Sequence, residues 1–543
     1  MTAAAHASAP GRGHPDVITP AQATQLAYRD HIDRAAAMLR SGLSVLVSAD
    51  KAVTEHLLRH IPIHAGYPRP RVLAVPADQE ASAGTGDPII AAMRQPRPLR
   101  QRYITELRAA LQELSYDEVL VIPHLDLLAG GNDSALTSEA REVVELLFGP
   151  GGRDVTDRQD STYSRVILAF VDRTLSIPDV VSSRFQGRVM LTGLGKLVRH
   201  RDDGTTQLSS EALIQKDEAQ LFAGFEPEAM YKHLAGFNPV RLRQGMHFAY
   251  EQHHGSGAST AAALIDTLRA FKAETSSSFE LPKETFADIG GYESVKQEMS
   301  QVLRVMLNAN APDHIRKAIP RGFIFYGPPG TGKTLFAKAM ANEMKATINV
   351  VSGPEVMTMW VGESERKVRE LFEEARRNAP SVTVFDEFDS LAGRRSGMSD
   401  GGSRAANAVV AQLLTELDGF RADVPMLIVA TTNRLDQIDP ALLRPSRFHA
   451  IEVELPRVEE RMEIIKVHAR HNAVEVPEPL LPRLSELFNG WNGDEIRDIF
   501  AKTAMHMFEL SERGDPIDVV EILGHVVGKA RRERRQLQSR TMV

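Results

Sequence analysis

The chain has 543 residues, with 64 Lys and Arg against 71 Asp and Glu, a formal charge of −7, 43% hydrophobic and 25% charged residues. That length predicts about two to four domains. The composition excludes a wholly disordered or fibrous chain and a strongly basic nucleic-acid coat. The absence of cysteine removes disulfides, thiolate metal sites and a thiol nucleophile from consideration. No apolar run approaches the roughly 18 residues that span a bilayer. The first twenty residues hold no unbroken apolar stretch of the secretion-signal kind, so the expected location is cytoplasmic.

In chain order, residues 1–27, rich in Ala, Gly, Pro and His at their start, read as a flexible tail. An α/β region is expected over 28–195. Its strands are Leu43–Val47, followed by Ser48-Ala49-Asp50-Lys51 and a helix at Ala52–His60, then Glu118–Ile122 and Val166–Val171. Residues 196–272 read as largely helical, ending in a helix at Ala261–Lys272. The Ser- and Pro-containing 273–285 reads as an inter-domain linker. From 286 to 456 short apolar strands (Phe323–Tyr326, Ile348–Val351, Val382–Phe385, Met426–Ala430) alternate with helices such as Gly332–Met344 and Glu363–Arg377. That alternation predicts a parallel sheet covered on both faces. The remaining 457–543 is helical only.

Gly327-Pro328-Pro329-Gly330-Thr331-Gly332-Lys333-Thr334 satisfies G-x-x-x-x-G-K-[ST] between a strand and a helix, the context the motif requires. Its glycines let several backbone N–H groups face one anion, and the helix N-terminus adds its positive dipole end. Lys333 then reaches the terminal phosphates of ATP and Thr334 holds Mg²⁺. Downstream, Asp386 and Glu387 end a buried strand. Two carboxylates there are costly without charge partners, which a metal–triphosphate provides. Asp386 is the expected Mg²⁺ ligand and Glu387 the base that polarises the attacking water.

Together these residues resemble the AAA family of ring-forming ATPases, part of the AAA+ superfamily, over nearly all of Phe286–Phe508. The resemblance implies a P-loop α/β sheet with a small helical lid. Phe286-Ala287-Asp288-Ile289-Gly290-Gly291 is similar to the family's F-x-D-I-G-G segment near the adenine, which implicates Asp288 and Gly290. Asn433 matches the sensor of the lytic water, Asp418-Gly419-Phe420 resembles the inter-subunit signalling triplet, and Arg444 and Arg447 match paired arginine fingers. Fingers act on the nucleotide of a neighbouring subunit and are worth about 10³–10⁵ in rate, so the resemblance implies a homo-oligomer, a hexameric ring. Met359-Trp360-Val361-Gly362-Glu363-Ser364-Glu365 is similar to the first pore loop, with the tryptophan of katanin-like members. Trp360 and Val361 would therefore grip an extended polypeptide by apolar area. Gly393–Gly402 matches the second pore loop less specifically.

Three departures stand out: Ser446 and His449 flank Arg447 in place of glycine and aspartate, and Asp494 replaces alanine in Trp491-Asn492-Gly493-Asp494-Glu495-Ile496. Gly493 matches the nucleotide-contacting glycine of the lid, and Asp494 beside it would weaken binding unless Arg497 neutralises it.

The first half reads as an eroded copy of the second, so the fold is expected twice. Glu118–Gly130 aligns with Ser381–Gly393, sharing D-x-L-A-G, but Pro123 and His124 stand at the positions of Asp386 and Glu387. Asp126 and Arg184 pair with Asp389 and Arg447 at one common offset, and Val181 replaces Arg444. Such a module should not hydrolyse ATP and would serve ring assembly or partner binding. Ser209–Gln252 is the candidate lid of this copy. The basic run Arg531–Arg535 suits either phosphate contact or a solvated helix face.

The expected function is ATP hydrolysis in a ring, coupled to remodelling, unfolding or disassembly of a protein substrate or client complex through a central pore. The alternatives are a nucleic-acid-stimulated motor or loader, which the acidic balance disfavours, and an ATP-regulated assembly chaperone or scaffold for a large particle. No H-E-x-x-H is present, and Arg540-Thr541-Met542-Val543 does not resemble a proteasome-docking tail, so no protease partner is implied.

Overall fold

The computed structural model describes residues 13–541 apart from 75–97, 116, 130–136, 149–165, 176, 201–202, 256–258, 309–311, 313, 316–318, 358–362, 394–400, 420–423 and 514. The chain divides into two compact units, residues 1–268 and 269–543.

The first unit is built on a sheet of five parallel strands: β1 (Val45–Ser48), β2 (Arg71–Val72), β3 (Val119–Ile122), β4 (Val166–Val171) and β5 (Gly187–Met190). Their order across the sheet is β2-β3-β4-β1-β5. Alternation carries the packing. Val45, Val47, Val119, Val121, Leu168 and Phe170 fill one face, while Leu46, Leu120, Ile122, Ile167 and Ala169 fill the other. Strands buried on both sides must read as continuous apolar runs, and VLVI and VILAFV do.

Beyond the sheet, the antiparallel pair β6 (Leu197–Arg199) and β7 (Thr206–Leu208) and the short parallel pair β8 (Phe222–Ala223) and β9 (Ser259–Thr260) join the helices Lys216–Leu221, Pro227–Leu234 and Pro239–His253. The 196–272 region is thus mostly helical but carries strands the sequence did not announce. Arg243 and Glu218, both buried, close it with two hydrogen bonds of 2.7 Å each.

One correction concerns the N-terminus. Residues 20–27, placed in the expected tail, form the helix Pro20–Ala27. Pro20 sits at its first position, where a missing N–H costs nothing. Thr19 and Gln22 make a reciprocal capping box, and Ala23 and Thr24 are fully buried.

The second unit repeats the plan with β10 (Gly322–Tyr326), β11 (Thr347–Ser352), β12 (Ser381–Asp386), β13 (Met426–Thr432) and β14 (Phe448–Glu452). All pairings are parallel, and the order is β11-β12-β13-β10-β14. Each sheet therefore lists its own strands as second, third, fourth, first, fifth. Phe323 and Phe325 of β10 enter the core shared with the Lys333–Glu343 helix and the C-terminal helices, whereas Ile324 joins Phe372, Phe385 and Leu413 on the opposite face. The sequence missed β14, whose alternating burial marks an edge strand.

The expected linker is ordered. Ser276 and Ser278 donate to Glu374 at 2.9 and 2.5 Å, and Phe279 is buried. Glu280 exchanges two backbone hydrogen bonds with Ile348 of β11, at 2.8 and 2.9 Å. The helices Val458–His471, Leu481–Leu487, Gly493–Arg513 and Val519–Thr541 complete this unit. Among the described residues no helix is long and apolar enough to cross a membrane.

Candidate functional site

The site forms where β10, the interior strand between β13 and β14, ends. Between Tyr326 and the Lys333–Glu343 helix the backbone runs through three left-handed glycines, Gly327, Gly330 and Gly332, with φ of 143°, 73° and 87°. Two of these glycines are required by space as well as by conformation. A Cβ on Gly327 would meet the Val453 carbonyl oxygen at 2.3 Å, and one on Gly330 would meet Asn492 at 2.7 Å. The loop so shaped opens directly into the helix N-terminus.

Lys333 is mostly buried, and its Nζ donates to the carbonyls of Gly327 and Pro328 at 3.0 and 2.7 Å. Burial lowers its pKa, opposed by the charge of Asp386. Asp386 ends β12, beside β13. Its Oδ2 lies 3.5 Å from Thr334 Oγ1, and its Oδ1 accepts from Thr431 Oγ1 and, at 3.1 Å, from the Glu387 N–H. Glu387 itself has φ 52°, a left-handed conformation that a β-carbon disfavours, and it begins the short helix Phe388–Leu391. Its side chain is exposed. The neighbouring Thr432 is tied to Asp389 at 2.7 Å, fixing the backbone that presents Asn433.

These groups share one cavity of about 880 Å³. Pro329, Gly330, Thr331, Gly332, Lys333, Thr334, Asp386, Glu387 and Asn433 line it from the sheet side, and Asp288 and Gly290 from the segment before it. Ile464, His468, His471, Gly493, Asp494 and Arg497 line it from the helical side. Gly290 is pressed against the Val458–His471 helix, where a Cβ would meet the Ile464 N–H nitrogen at 2.4 Å. Although burial pulls the other way, the Thr285 N–H and hydroxyl and the His471 ring hold the Asp288 carboxyl below its usual range. His468 is pushed down to about 4 by burial, reinforced by the charges of His471 and Arg497. It is neutral near pH 7.

The Asp494 question is answered in part by geometry. Its Oδ1 lies 3.2 Å from Arg497 one turn on, with both side chains largely exposed. The pair cancels charge at the cavity mouth but contributes little to stability. The His449 departure is also accommodated: its Nε2 lies 2.7 Å from Glu298.

The expected fingers do not line this cavity. Arg444 is exposed. Arg447 is anchored by Asp418, with Nε–Oδ1 and Nη2–Oδ2 distances of 3.1 and 2.8 Å, and by the Ala441 carbonyl at 2.7 Å. The hydrogen bond from Arg447 holds the Asp418 carboxyl below its usual range. Trp360, Val361, Phe420 and most of Gly393–Gly402 lie outside the described residues.

Two residues escaped the sequence reading. Thr431 buttresses the metal-ligand candidate Asp386, and its only signal was a hydroxyl two positions before Asn433. Asn492 reaches the phosphate loop, donating from Nδ2 to the Pro329 carbonyl at 3.2 Å. Its signal was a polar helix cap just before Gly493.

Among the described residues no three His, Cys, Asp or Glu side chains gather as a metal site. Thr334 and Asp386 nevertheless present converging oxygen donors beside the phosphate loop. That donor set fits Mg²⁺, which takes few protein ligands and completes its shell with water and phosphate oxygens.

Comparison with known proteins agrees with this geometry. Residues 323–455 match the model of the ATPase family associated with various cellular activities (AAA). Residues 282–360 match the Holliday junction DNA helicase RuvB P-loop domain. The chain is 44% identical over 230 residues to a cell division cycle protein 48 homolog of Archaeoglobus fulgidus, covering 42% of this chain and 31% of that relative. It is 36% identical over 311 residues to a proteasome-activating nucleotidase of Pyrococcus abyssi, covering 56% of this chain and 76% of that relative. The Pyrococcus horikoshii nucleotidase gives 35% over 311 residues, with 56% and 75% covered. The chain thus spans under a third of the first relative and about three quarters of the other two.

Proposed function

The chain belongs to the AAA family of ATPases, and on that premise we propose that it hydrolyses ATP in a cytoplasmic homo-hexameric ring and uses the cycle to remodel or unfold a protein substrate. The observation that carries the reading is the convergence of Lys333, Thr334, Asp386, Glu387 and Asn433 on one cavity closed by helical residues around Gly493.

In this reading the triphosphate lies along Gly327–Gly332, with backbone N–H groups and the helix N-terminus facing it. Lys333 leaves its loop carbonyls to meet the terminal phosphates. Asp288 and Gly290 border the base, and Gly493 closes the cavity from the lid. Thr334 and Asp386 would hold Mg²⁺, which would supply positive charge against the phosphate oxygens. Glu387 takes the proton of the attacking water and Asn433 orients that water. Arg444 and Arg447, outside their own cavity, serve the neighbouring subunit's nucleotide. Asp418 aligns Arg447 for that role. Trp360 and Val361 grip the threaded polypeptide. The first unit, with the same strand order, supports the ring as a degenerate module, within boundaries of 28–195 and 196–272.

The test combines two variants. Glu387→Gln should retain ATP and lose steady-state turnover by at least about 10². Trp360→Ala should hydrolyse ATP within about twofold of the parent yet fail to unfold a tagged fluorescent substrate. Intact unfolding by Trp360→Ala would end the pore mechanism. A second reading, a nucleic-acid-driven motor, rests on the match of 282–360 to the RuvB P-loop domain. Salt-sensitive stimulation of turnover by DNA would favour it.

A further inference from the structure

The lid does more than roof the cavity. The Asn492 side chain caps the Gly493–Arg513 helix: Oδ1 accepts from the Glu495 N–H at 2.8 Å, and Glu495 Oε2 accepts from the Asn492 N–H at 2.9 Å. Since Oδ1 is committed to the cap, Nδ2 is the atom that faces the phosphate loop, 3.2 Å from the Pro329 carbonyl. The Asp494 N–H donates to the next loop carbonyl, Gly330, also at 3.2 Å. The side chain rests where Gly330 has no Cβ.

The same cap is gripped from behind. Arg534, in the basic run of the Val519–Thr541 helix, places Nη1 3.1 Å from Glu495 Oε2 and donates from Nη2 to the Gly490 carbonyl at 2.7 Å. Its guanidinium lies 5.2 Å from the centre of the Trp491 ring, and Trp491 is buried against Phe488. One connected path therefore runs from the Pro329 carbonyl through Asn492 and Glu495 to Arg534.

We propose that Asn492 is a positioning residue for nucleotide binding, and that Arg534 of the C-terminal helix sets its aim, so that the last helix of the chain tunes how firmly the phosphate loop is held for ATP. The inference rests on the ATP-binding reading given above. Capping and bridging are separable functions here. Serine caps a helix nearly as well as asparagine but is too short to bridge, and aspartate caps equally well yet brings an acceptor to a carbonyl and a charge toward the phosphates.

The experiment measures the Kd for a fluorescent ATP analogue in the Glu387→Gln background, and KM, kcat and Tm in otherwise intact full-length protein. Asn492→Ser should raise Kd and KM about fivefold, the equivalent of one hydrogen bond, with kcat within about twofold and Tm nearly unchanged. Asn492→Asp should raise Kd further. Arg534→Gln should weaken binding in the same direction although its side chain does not line the cavity, and its effect should largely vanish in the Asn492→Ser background. Unchanged Kd and KM in Asn492→Ser overturn the bridge. Fully additive effects of the two changes overturn the path to Arg534. Lys333→Ala separates the two readings: equal analogue binding by parent and Lys333→Ala removes the ATP site itself, whereas loss in Lys333→Ala with none in Asn492→Ser removes only the inference.

Discussion

The two sheets have one strand order and opposite fates at the point where the first strand meets its helix. In the second unit the residues Gly327–Gly332 separate β10 from the Lys333–Glu343 helix. In the first unit only Ala49 and Asp50 separate β1 from the helix Lys51–Leu57. Two residues cannot wrap an anion. The helix N-terminus there already has its own, because the Asp50 carboxylate accepts from the Ala52 N–H at 3.0 Å. Lys51 is spoken for as well: its Nζ lies 2.7 Å from both oxygens of the fully buried Asp126 and 3.2 Å from His124 Nδ1. Asp126 also accepts from the Asp172 N–H at 2.5 Å. Charges that the second unit keeps available for a triphosphate are internally matched in the first. The sheet depends on apolar alternation spread over many residues, whereas anion binding depends on a loop of a few.

The finger positions diverge in the same way. Arg184 is 5% exposed and donates to the Leu147 carbonyl at 3.1 Å, and Val181 is fully buried. Arg444 is exposed.

The largest expected effect lies in turnover. Arg444→Ala and Arg447→Ala should each lower kcat about 10³-fold at concentrations where the parent assembles. Arg184→Met, compared per folded molecule, should leave kcat within about twofold. A matching collapse in Arg184→Met would show that the first unit lends a finger too.

Next comes stability. Lys51→Ala takes the cation from a buried carboxylate that keeps the Asp172 and Leu127 N–H donors, which should cost about 3 kcal/mol, read as a lower denaturation midpoint. Lys333→Ala removes hydrogen bonds only to its own loop and should cost about 1–2 kcal/mol. Equal losses would erase the contrast between a structural and a functional lysine. Occupancy is a twofold matter: calorimetric titration of Glu387→Gln should find one ATP per chain, and two would reopen the first site.

The smallest effect is in pH. His468, held near 4, binds fewer protons folded than unfolded, where the value is near 6.5. Its contribution to stability is therefore complete above about pH 6.5 and declines as the pH falls toward 4. His468→Gln should flatten the stability profile in that window. His124, lowered by burial and then by Lys51, should give the first unit a slope of the same sign. A slope unchanged by His468→Gln would show that the histidine is not buried in solution as it is here.

Much of this was legible beforehand because the signals were local. Gly327–Thr334, the Asp386–Glu387 pair and four strands of the second sheet were each fixed by residues adjacent in sequence. The shared D-x-L-A-G pointed to a second sheet of the same kind, and the strand order of the first unit matches that of the second. What stayed hidden depended on tertiary partners. Arg71–Val72 and Phe448–Glu452 are short edge strands with half-exposed patterns, so little periodicity betrays them. The helix Pro20–Ala27 fully buries only Ala23 and Thr24, a face too small and too weakly apolar for the sequence to separate it from a tail. Asn492 matters through a carbonyl 163 residues away in the chain, and no spacing rule reveals that.

The ordered strap around Phe279 and Glu280 carries one more consequence. β11 is the outermost strand of its sheet, and bare strand margins invite pairing with other chains. The exchange between Glu280 and Ile348 covers part of that margin. A segment composed like a spacer thus doubles as a guard against unwanted strand addition, a property that the proposed protein-remodelling activity would make useful.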